Sequence, residues 1–255
     1  MQGGQDRGGA KMAGRRVIVT GAASGIGRAT ALLFHQEGAR LALIDRDKKA
    51  LLDIAAPIGA HAFPVDLADT FALDPVVAAA AAAMGGIDGI VNCAAFSKGG
   101  PIETMDPDVL GRFVAVNLVA PYLLCRAALP HMRQCADATI VNIASGQALL
   151  PNAPNNTAYA ATKGGLVAFS KALAAEVAPA VRVNALCPGV TNTPMAAHLF
   201  ADYPNPSDAP FVKQYALQRI AEPIEIARAI LFLSCNDSSY VTGIAMAVDG
   251  GRTYH

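Results

Sequence analysis

Tryptophan is absent from this 255-residue chain, charged side chains make up only 16% of it, and neither sign prevails, with 20 basic and 20 acidic residues. Without a basic excess there is no electrostatic footprint for nucleic acid or for an anionic membrane surface. Cysteine is sparse and unpatterned: Cys93, Cys125, Cys135, Cys187 and Cys235 are odd in number and lack the close pairing of metal ligands. They read as small core residues, which fits reduced thiols and a cytoplasmic setting, with no metal site. No stretch reaches the roughly 18 apolar residues of a membrane span. Residues 1–13, rich in Gly and Gln, lack the apolar core of a signal peptide and read as a disordered leader. Residues 14–255 then form a single domain, a length ordinary for α/β folds.

What the chain has instead is apolar content, 53%, arranged in short runs. Strand-like runs recur at Val17–Thr20, Arg40–Ile44, His61–Val65, Gly89–Asn92, Thr139–Ile143, Val181–Ala185 and Ile244–Val248, and helical patterns separate most of them. This alternation predicts a single doubly wound, Rossmann-type α/β domain: a parallel sheet of about seven strands with helices on both faces. The alanine run Ala78–Ala83 is a helix packed on the surface.

The first strand runs straight into Gly21-Ala22-Ala23-Ser24-Gly25-Ile26-Gly27, and a helical pattern follows. Strand, glycine turn, helix aims helix N-terminal amides at a pyrophosphate. Gly21 permits the tight turn, Gly25 the close approach of backbone to phosphate, and Gly27 close packing of helix on sheet. The second strand ends at Asp45, placed to bind a ribose diol and to repel a 2′-phosphate; unit charges about 4 Å apart interact by roughly 4 kcal/mol at an effective dielectric of 20. NAD is therefore expected over NADP, with the adjacent Arg46 able to soften the preference.

Tyr159 and Lys163 stand four residues apart on a predicted helix, which puts them on one face. A phenol ionises near neutral pH only with about 4 kcal/mol of help, and a nearby ammonium supplies help of the right sign. Such a tyrosine can take a proton from an alcohol or give one to a carbonyl oxygen.

Thr20-Gly21-x3-Gly25-Ile26-Gly27, Asn92-Cys93-Ala94-Ala95, Asn117, Ser145, Tyr159-x3-Lys163 and Pro188-Gly189 occur in that order. Together they resemble the short-chain dehydrogenase/reductase family in its form of about 250 residues, from about Arg15 to Gly251. The resemblance implies Tyr159 as general acid/base, and Lys163 as the group that lowers its pKa and holds the nicotinamide ribose. Ser145 would hydrogen-bond the substrate oxygen, and Asn117 would hold a water linking Lys163 to solvent. Asp66 and Leu67 would lie beside the adenine, Asn92 and Ala94 would line the groove, and Pro188, Gly189, Val190, Thr191 and Thr193 would cover the nicotinamide. The usual final glycine of the Asn-Asn-Ala-Gly motif is Ala95, a methyl expected to narrow the groove. Ser145 precedes Tyr159 by 14 residues, one more than the family pattern leads one to expect.

Residues 193–215 interrupt the strand–helix rhythm with Pro194, Pro204, Pro206, Pro210 and the rings of Phe200, Tyr203, Phe211 and Tyr215. They read as a lid over substrate. His198 in this insert reads as a solvent-facing loop residue.

The expected activity is NAD(H)-dependent interconversion of a small-molecule secondary alcohol and a ketone. The alternatives are a 3-oxoacyl-thioester reductase and, more remotely, a non-catalytic nucleotide-sensing or scaffold protein on the same fold. The resemblance further implies a homotetramer or, failing that, a dimer, with Leu118–Leu129 and Gly165–Glu176 in one subunit interface and Val248-Asp249-Gly250-Gly251 near the other.

Overall fold

A computed structural model describes residues 10–253. The sheet is built from β1 (Arg16–Thr20), β2 (Arg40–Asp45), β3 (His61–Pro64), β4 (Gly89–Asn92), β5 (Ala138–Ile143), β6 (Val181–Pro188) and β7 (Ala245–Val248). All neighbours pair in parallel, in the order β3-β2-β1-β4-β5-β6-β7. The chain thus starts at the centre, winds outward to β3, and crosses back to β4. That reversal opens a crevice beyond the C-terminal ends of β1 and β4.

Both faces of the sheet are buried, as the unbroken apolar runs require. Side chains alternate along each strand. Ile18, Ile90 and Ile140 belong to the core under α3 (Leu73–Met84), α5 (Ala120–Met132) and α7 (Thr157–Val177). Val17, Val19, Val91 and Val141 belong to the core under α1 (Gly25–Gln36), α2 (Lys48–Ala55) and α8 (Pro223–Ser234). In α3 the alanine run presents Ala80 and Ala81 to the core and Ala78, Ala79, Ala82 and Ala83 to solvent. The start of α8 combines Pro223 in its first turn with a reciprocal capping box between Glu222 and Glu225.

Two features depart from the sequence expectation. Met12, expected in the leader, is fully buried in the α1-side core, and its N–H donates to Glu37 O at 3.0 Å. Residues 1–9, the rest of that leader, lie outside the described residues. The second is the helical run Pro107–Met132: α4 (Pro107–Val114) passes through a π turn at Ala115–Val119 into α5. Helical periodicity alone does not reveal a one-residue expansion of the turn. This run is the one described helix long and apolar enough to cross a membrane by length and composition. It contains Arg112 and Arg126, and it buries Phe113, Val116, Ala120, Leu124, Ala128 and Met132 inside the protein.

Candidate active site

The strand register assembles the site. Thr20 is opposite Asn92, and Asn92 opposite Asn142, so three strand ends finish in one row. Directly beyond, Gly21 has φ +66°, and a Cβ there would lie 2.8 Å from Ala94 Cα. Thr20 Oγ1 accepts from Ala94 N at 3.1 Å, which locks the two chain segments together. A Cβ on Gly27 would lie 2.2 Å from Gly21 O, so the third glycine keeps the turn itself closed. Gly25, at φ +51°, faces Thr193, whose Cγ2 would sit 3.0 Å from an added Cβ. The expected phosphate turn and the expected nicotinamide cover thus meet across one groove. Ser24 and Ile26 stand between these glycines at the exposed mouth and the half-buried base of the turn.

Asp45 closes the near end of the groove. Its Oδ2 accepts from Ala23 N and its Oδ1 from Asp47 N, both at 3.0 Å, so the carboxylate faces the glycine turn. Asp66 is held by Ala68 N at 3.0 Å and by Arg112 Nη2 at 2.8 Å. Burial alone would raise the Asp66 pKa, but these hydrogen bonds, with the charges of Arg112 and Arg46, hold it below the usual carboxylate value. Leu67, beside Asp66, is 6% exposed and packs in the core. Asn92 is also buried, and its Nδ2 donates to Asn142 Oδ1 at 2.8 Å. Asn142 in turn donates to Ser170 Oγ at 2.9 Å. Ala95 does not take a left-handed conformation, so the methyl there causes no backbone strain.

Ser145, Tyr159 and Lys163 converge from two elements. Ser145 lies two residues beyond β5 and caps the short α6 (Gly146–Leu149), accepting from Gln147 N at 3.1 Å. Tyr159 and Lys163 lie one turn apart in α7, with Lys163 Nζ 5.8 Å from the Tyr159 ring centroid. Lys163 is 1% exposed, and its Nζ donates to Ile143 O at 2.6 Å. Burial pushes the Lys163 ammonium down to about 8.

The same burial pushes the Tyr159 phenol up, and the group that opposes this is the Ser145 hydroxyl, not Lys163. The ammonium sits over the ring face, where it is bound to the Ile143 carbonyl. Burial also pushes the thiols of Cys93 and Cys125 up to about 12, which leaves them inert beside this chemistry.

Asn117 lies in the π turn and is fully buried. Its Oδ1 accepts from Phe96 N at 2.7 Å, and its Nδ2 donates to Phe96 O at 2.9 Å and to Thr162 Oγ1 at 3.2 Å. It clamps the segment after β4 onto the helix that carries Tyr159 and Lys163.

On the far wall, Pro188 is buried as the last residue of β6, and a Cβ on Gly189 would lie 2.9 Å from the Tyr215 ring. Val190 N donates to Tyr215 Oη at 3.2 Å, and Thr191 Oγ1 donates to Gly189 O at 3.1 Å. Tyr215 was legible only as one aromatic of the insert; no spacing announces that it anchors Val190. The insert has a small core of its own, in which Phe200, Ala209 and Val212 pack with Ile220. His198 is exposed on it.

The family profile described as enoyl-(acyl carrier protein) reductase matches residues 21–253. The chain belongs to the short-chain dehydrogenase/reductase family. Among similar proteins is the 2-keto-3-deoxy-L-fuconate dehydrogenase of Xanthomonas campestris pv. campestris, 33% identical over 246 residues, covering 94% of this chain and 81% of that protein. A solved structure named as a short-chain glucose/ribitol dehydrogenase, from Brucella melitensis, aligns with TM-score 0.87 at 35% identity, covering 95% of this chain and 98% of that one. The 3-ketoacyl-(acyl-carrier-protein) reductase of Brucella melitensis, complexed with NADH, aligns with TM-score 0.86 at 34% identity over 94% and 99% of the two chains. Short-chain dehydrogenase/reductases of this kind are oxidoreductases that use a nicotinamide cofactor, and the glycine turn fits such a group because a Cβ on Gly25 would project across the groove toward Thr193.

Proposed function

We propose that this protein is an NAD(H)-dependent oxidoreductase that interconverts a secondary alcohol and a ketone. The observation that carries the reading is the convergence of Ser145, Tyr159 and Lys163 at one end of the sheet, next to a wall formed by residues 188–193. The dinucleotide, when bound, supplies the hydride acceptor or donor. The chain does the rest. The Gly21–Gly27 turn and the start of α1 hold the pyrophosphate, and Asp45 accepts from the ribose hydroxyls. Asp66, the Leu67 backbone, Asn92 and Ala94 line the adenine side, with Arg46 at the rim. Val190, Thr191 and Thr193 border the nicotinamide side.

Ser145 Oγ hydrogen-bonds the substrate oxygen, and Tyr159 Oη takes the alcohol proton or returns it. Lys163 orients the ribose, while the Ser145 hydrogen bond and, when the oxidised dinucleotide is bound, its positive ring offset the burial that raises the phenol. Asn117 keeps the lysine's helix in register with the groove. The insert 193–215 serves as the lid.

The deciding experiment measures NAD-linked oxidation of a panel of secondary alcohols, sugars and hydroxy acids. Turnover of at least one class that is lost in Tyr159→Phe supports the reading, and no turnover of any class sinks it. The thioester-reductase reading keeps support from the acyl-carrier-protein reductase profile and from the ketoacyl reductase complexed with NADH, and the latter means that coenzyme choice does not separate the two. Reduction of a 3-oxoacyl thioester faster than of any free ketone would favour it.

We further infer a homotetramer. Leu110, Val114 and Tyr122 on α4 and α5 are exposed apolar side chains, with Ile102 beside them in sequence. Tyr122 stacks on Phe169 of α7 with ring centroids 5.1 Å apart. Association through these helices would bury that apolar face. Sedimentation at micromolar concentration should give four times the 26.2 kDa chain mass.

A further inference from the structure

We propose that Arg252 is a positioning residue for the substrate half of the site, tying the C-terminal segment to the loop after Ser145 and, through Asn152, to the aromatic insert. The proposal rests on the functional reading above. Arg252 is 6% exposed, and among the described residues no carboxylate pairs with it. Its Nη2 donates to Leu150 O at 3.0 Å and to Asn152 Oδ1. Both acceptors lie in the segment that lengthens the Ser145–Tyr159 spacing.

The neighbouring Asp249 presents the arginine inward. Its carboxylate accepts from the backbone N–H groups of Gly251, Arg252 and Thr253 and from Thr253 Oγ1 at 2.6 Å, which closes the turn after β7. The guanidinium then lies against the residue after Ser145, for a Cβ on Gly146 would be 3.2 Å from Arg252 Nη1 and 3.3 Å from Pro188 O.

A guanidinium only donates, so it meets the oxygen of the Asn152 amide and turns the amide nitrogen outward. That nitrogen donates to Gln214 Oε1 at 3.5 Å, one residue before Tyr215. Arg252, Asn152 and Gln214 therefore connect three chain segments, of which the C-terminal turn and the end of the insert also meet through Leu217 N donating to Gly250 O at 3.0 Å. In this arrangement Arg252 touches neither cofactor nor reacting atoms. It sets where the wall between Ser145 and the insert stands.

The test compares wild type with Arg252→Met, Arg252→Lys and Asn152→Ala, each checked for folding and NADH affinity. The expected result is a fall of tenfold or more in kcat/KM for the alcohol in Arg252→Met, borne mainly by KM, with NADH affinity within twofold. Lysine should rescue only in part, since it cannot reproduce the planar fork. Asn152→Ala should lose a similar factor, and the double variant should lose no more than either alone, because the two act as one unit. Amide exchange in residues 146–156 should quicken in Arg252→Met while that of β5 stays unchanged.

Unchanged exchange in that segment, or kcat/KM within twofold of wild type in a folded variant, overturns the proposal. If Arg252→Met does not fold, Asn152→Ala decides by the same two readouts, because its side chain is exposed. A wild-type protein inactive on every alcohol and ketone removes the functional reading instead. The exchange measurement then still decides whether Arg252 holds the segment.

Discussion

The two halves of the site are held by different means. The nucleotide half is backbone against backbone: Gly21 against Ala94, Gly27 against Gly21, and a ladder that places Thr20 beside Asn92. The substrate half hangs on side chains reaching across long sequence separations, Tyr215 to Val190 and Arg252 to Leu150 and Asn152. Backbone contact tolerates almost no change of residue, whereas a side-chain tether can be replaced by another of similar reach. A family can therefore keep the first half and vary the second, which is where substrate choice resides.

The largest expected effect lies where the halves meet. Tyr159→Phe should lower turnover by about 10²- to 10⁴-fold while NADH binding stays nearly intact, read by steady-state kinetics and a binding titration. In wild type the oxidation rate should rise with pH. Because burial raises the phenol in the protein alone, its own ultraviolet titration should lie above the ordinary tyrosine value. With NAD bound, the kinetic midpoint should fall below that value. Coincident midpoints with and without NAD would contradict the role given to the positive ring.

Next in size is a test of the rigid half. In Gly27→Ala the new methyl meets the Gly21 carbonyl at 2.2 Å, a backbone group that cannot yield without opening the turn. Overpacking of this kind costs about 1–3 kcal/mol. NADH affinity should fall more than tenfold with a lowered melting temperature, and an unchanged affinity would erase the contrast between the halves.

Asp45 sharpens the comparison further. The wild-type preference for NAD over NADP is expected to be at least about tenfold in kcat/KM, after allowance for solvent screening. It is motivated by Asp45 and by Ala23 and Ser24, where NADP-binding relatives tend to carry a basic residue. Asp45→Ala should narrow that gap; equal use of both coenzymes by wild type refutes the assignment.

The smallest effect is far from the groove. Burial alone would raise the Asp88 pKa, but hydrogen bonds from Arg16 hold it well below the ordinary value of 3.8. A lowered folded-state pKa means stability fully present above 3.8 and lost as pH falls below it. Asp88→Asn should melt at a lower temperature than wild type at pH 7, and the difference should shrink on acidification toward pH 3. NADH affinity at neutral pH should not change.

How much was legible follows the same division. The seven strands could be read from β-branched runs because both faces of a parallel sheet are buried, so the apolar signal is continuous. The glycine turn, Asp45 and the Tyr159–Lys163 pair were legible because helix periodicity and the turn's steric demands fix spacing. The burial of Leu67 left no signal of its own, because a residue beside the groove can send its side chain either way, and only packing decides. The π turn around Asn117 and the direction in which Lys163 points left no trace in local spacing, and Met12 looked like part of a polar leader until α1 and β2 were in place to bury it.

By itself, then, the sequence determined what depends on neighbours along the chain: the order of strands and helices, the closed glycine turn, the face shared by a phenol and an ammonium. The tertiary structure decided what depends on partners distant in the chain. Burial, not the ammonium, dominates the ionisation of Tyr159 in the protein alone, and the wall beyond Ser145 stands where Arg252, more than a hundred residues later, holds it. Charge desolvation and hydrogen bonding act through space, and their strength depends on what surrounds a group once the chain has closed around it.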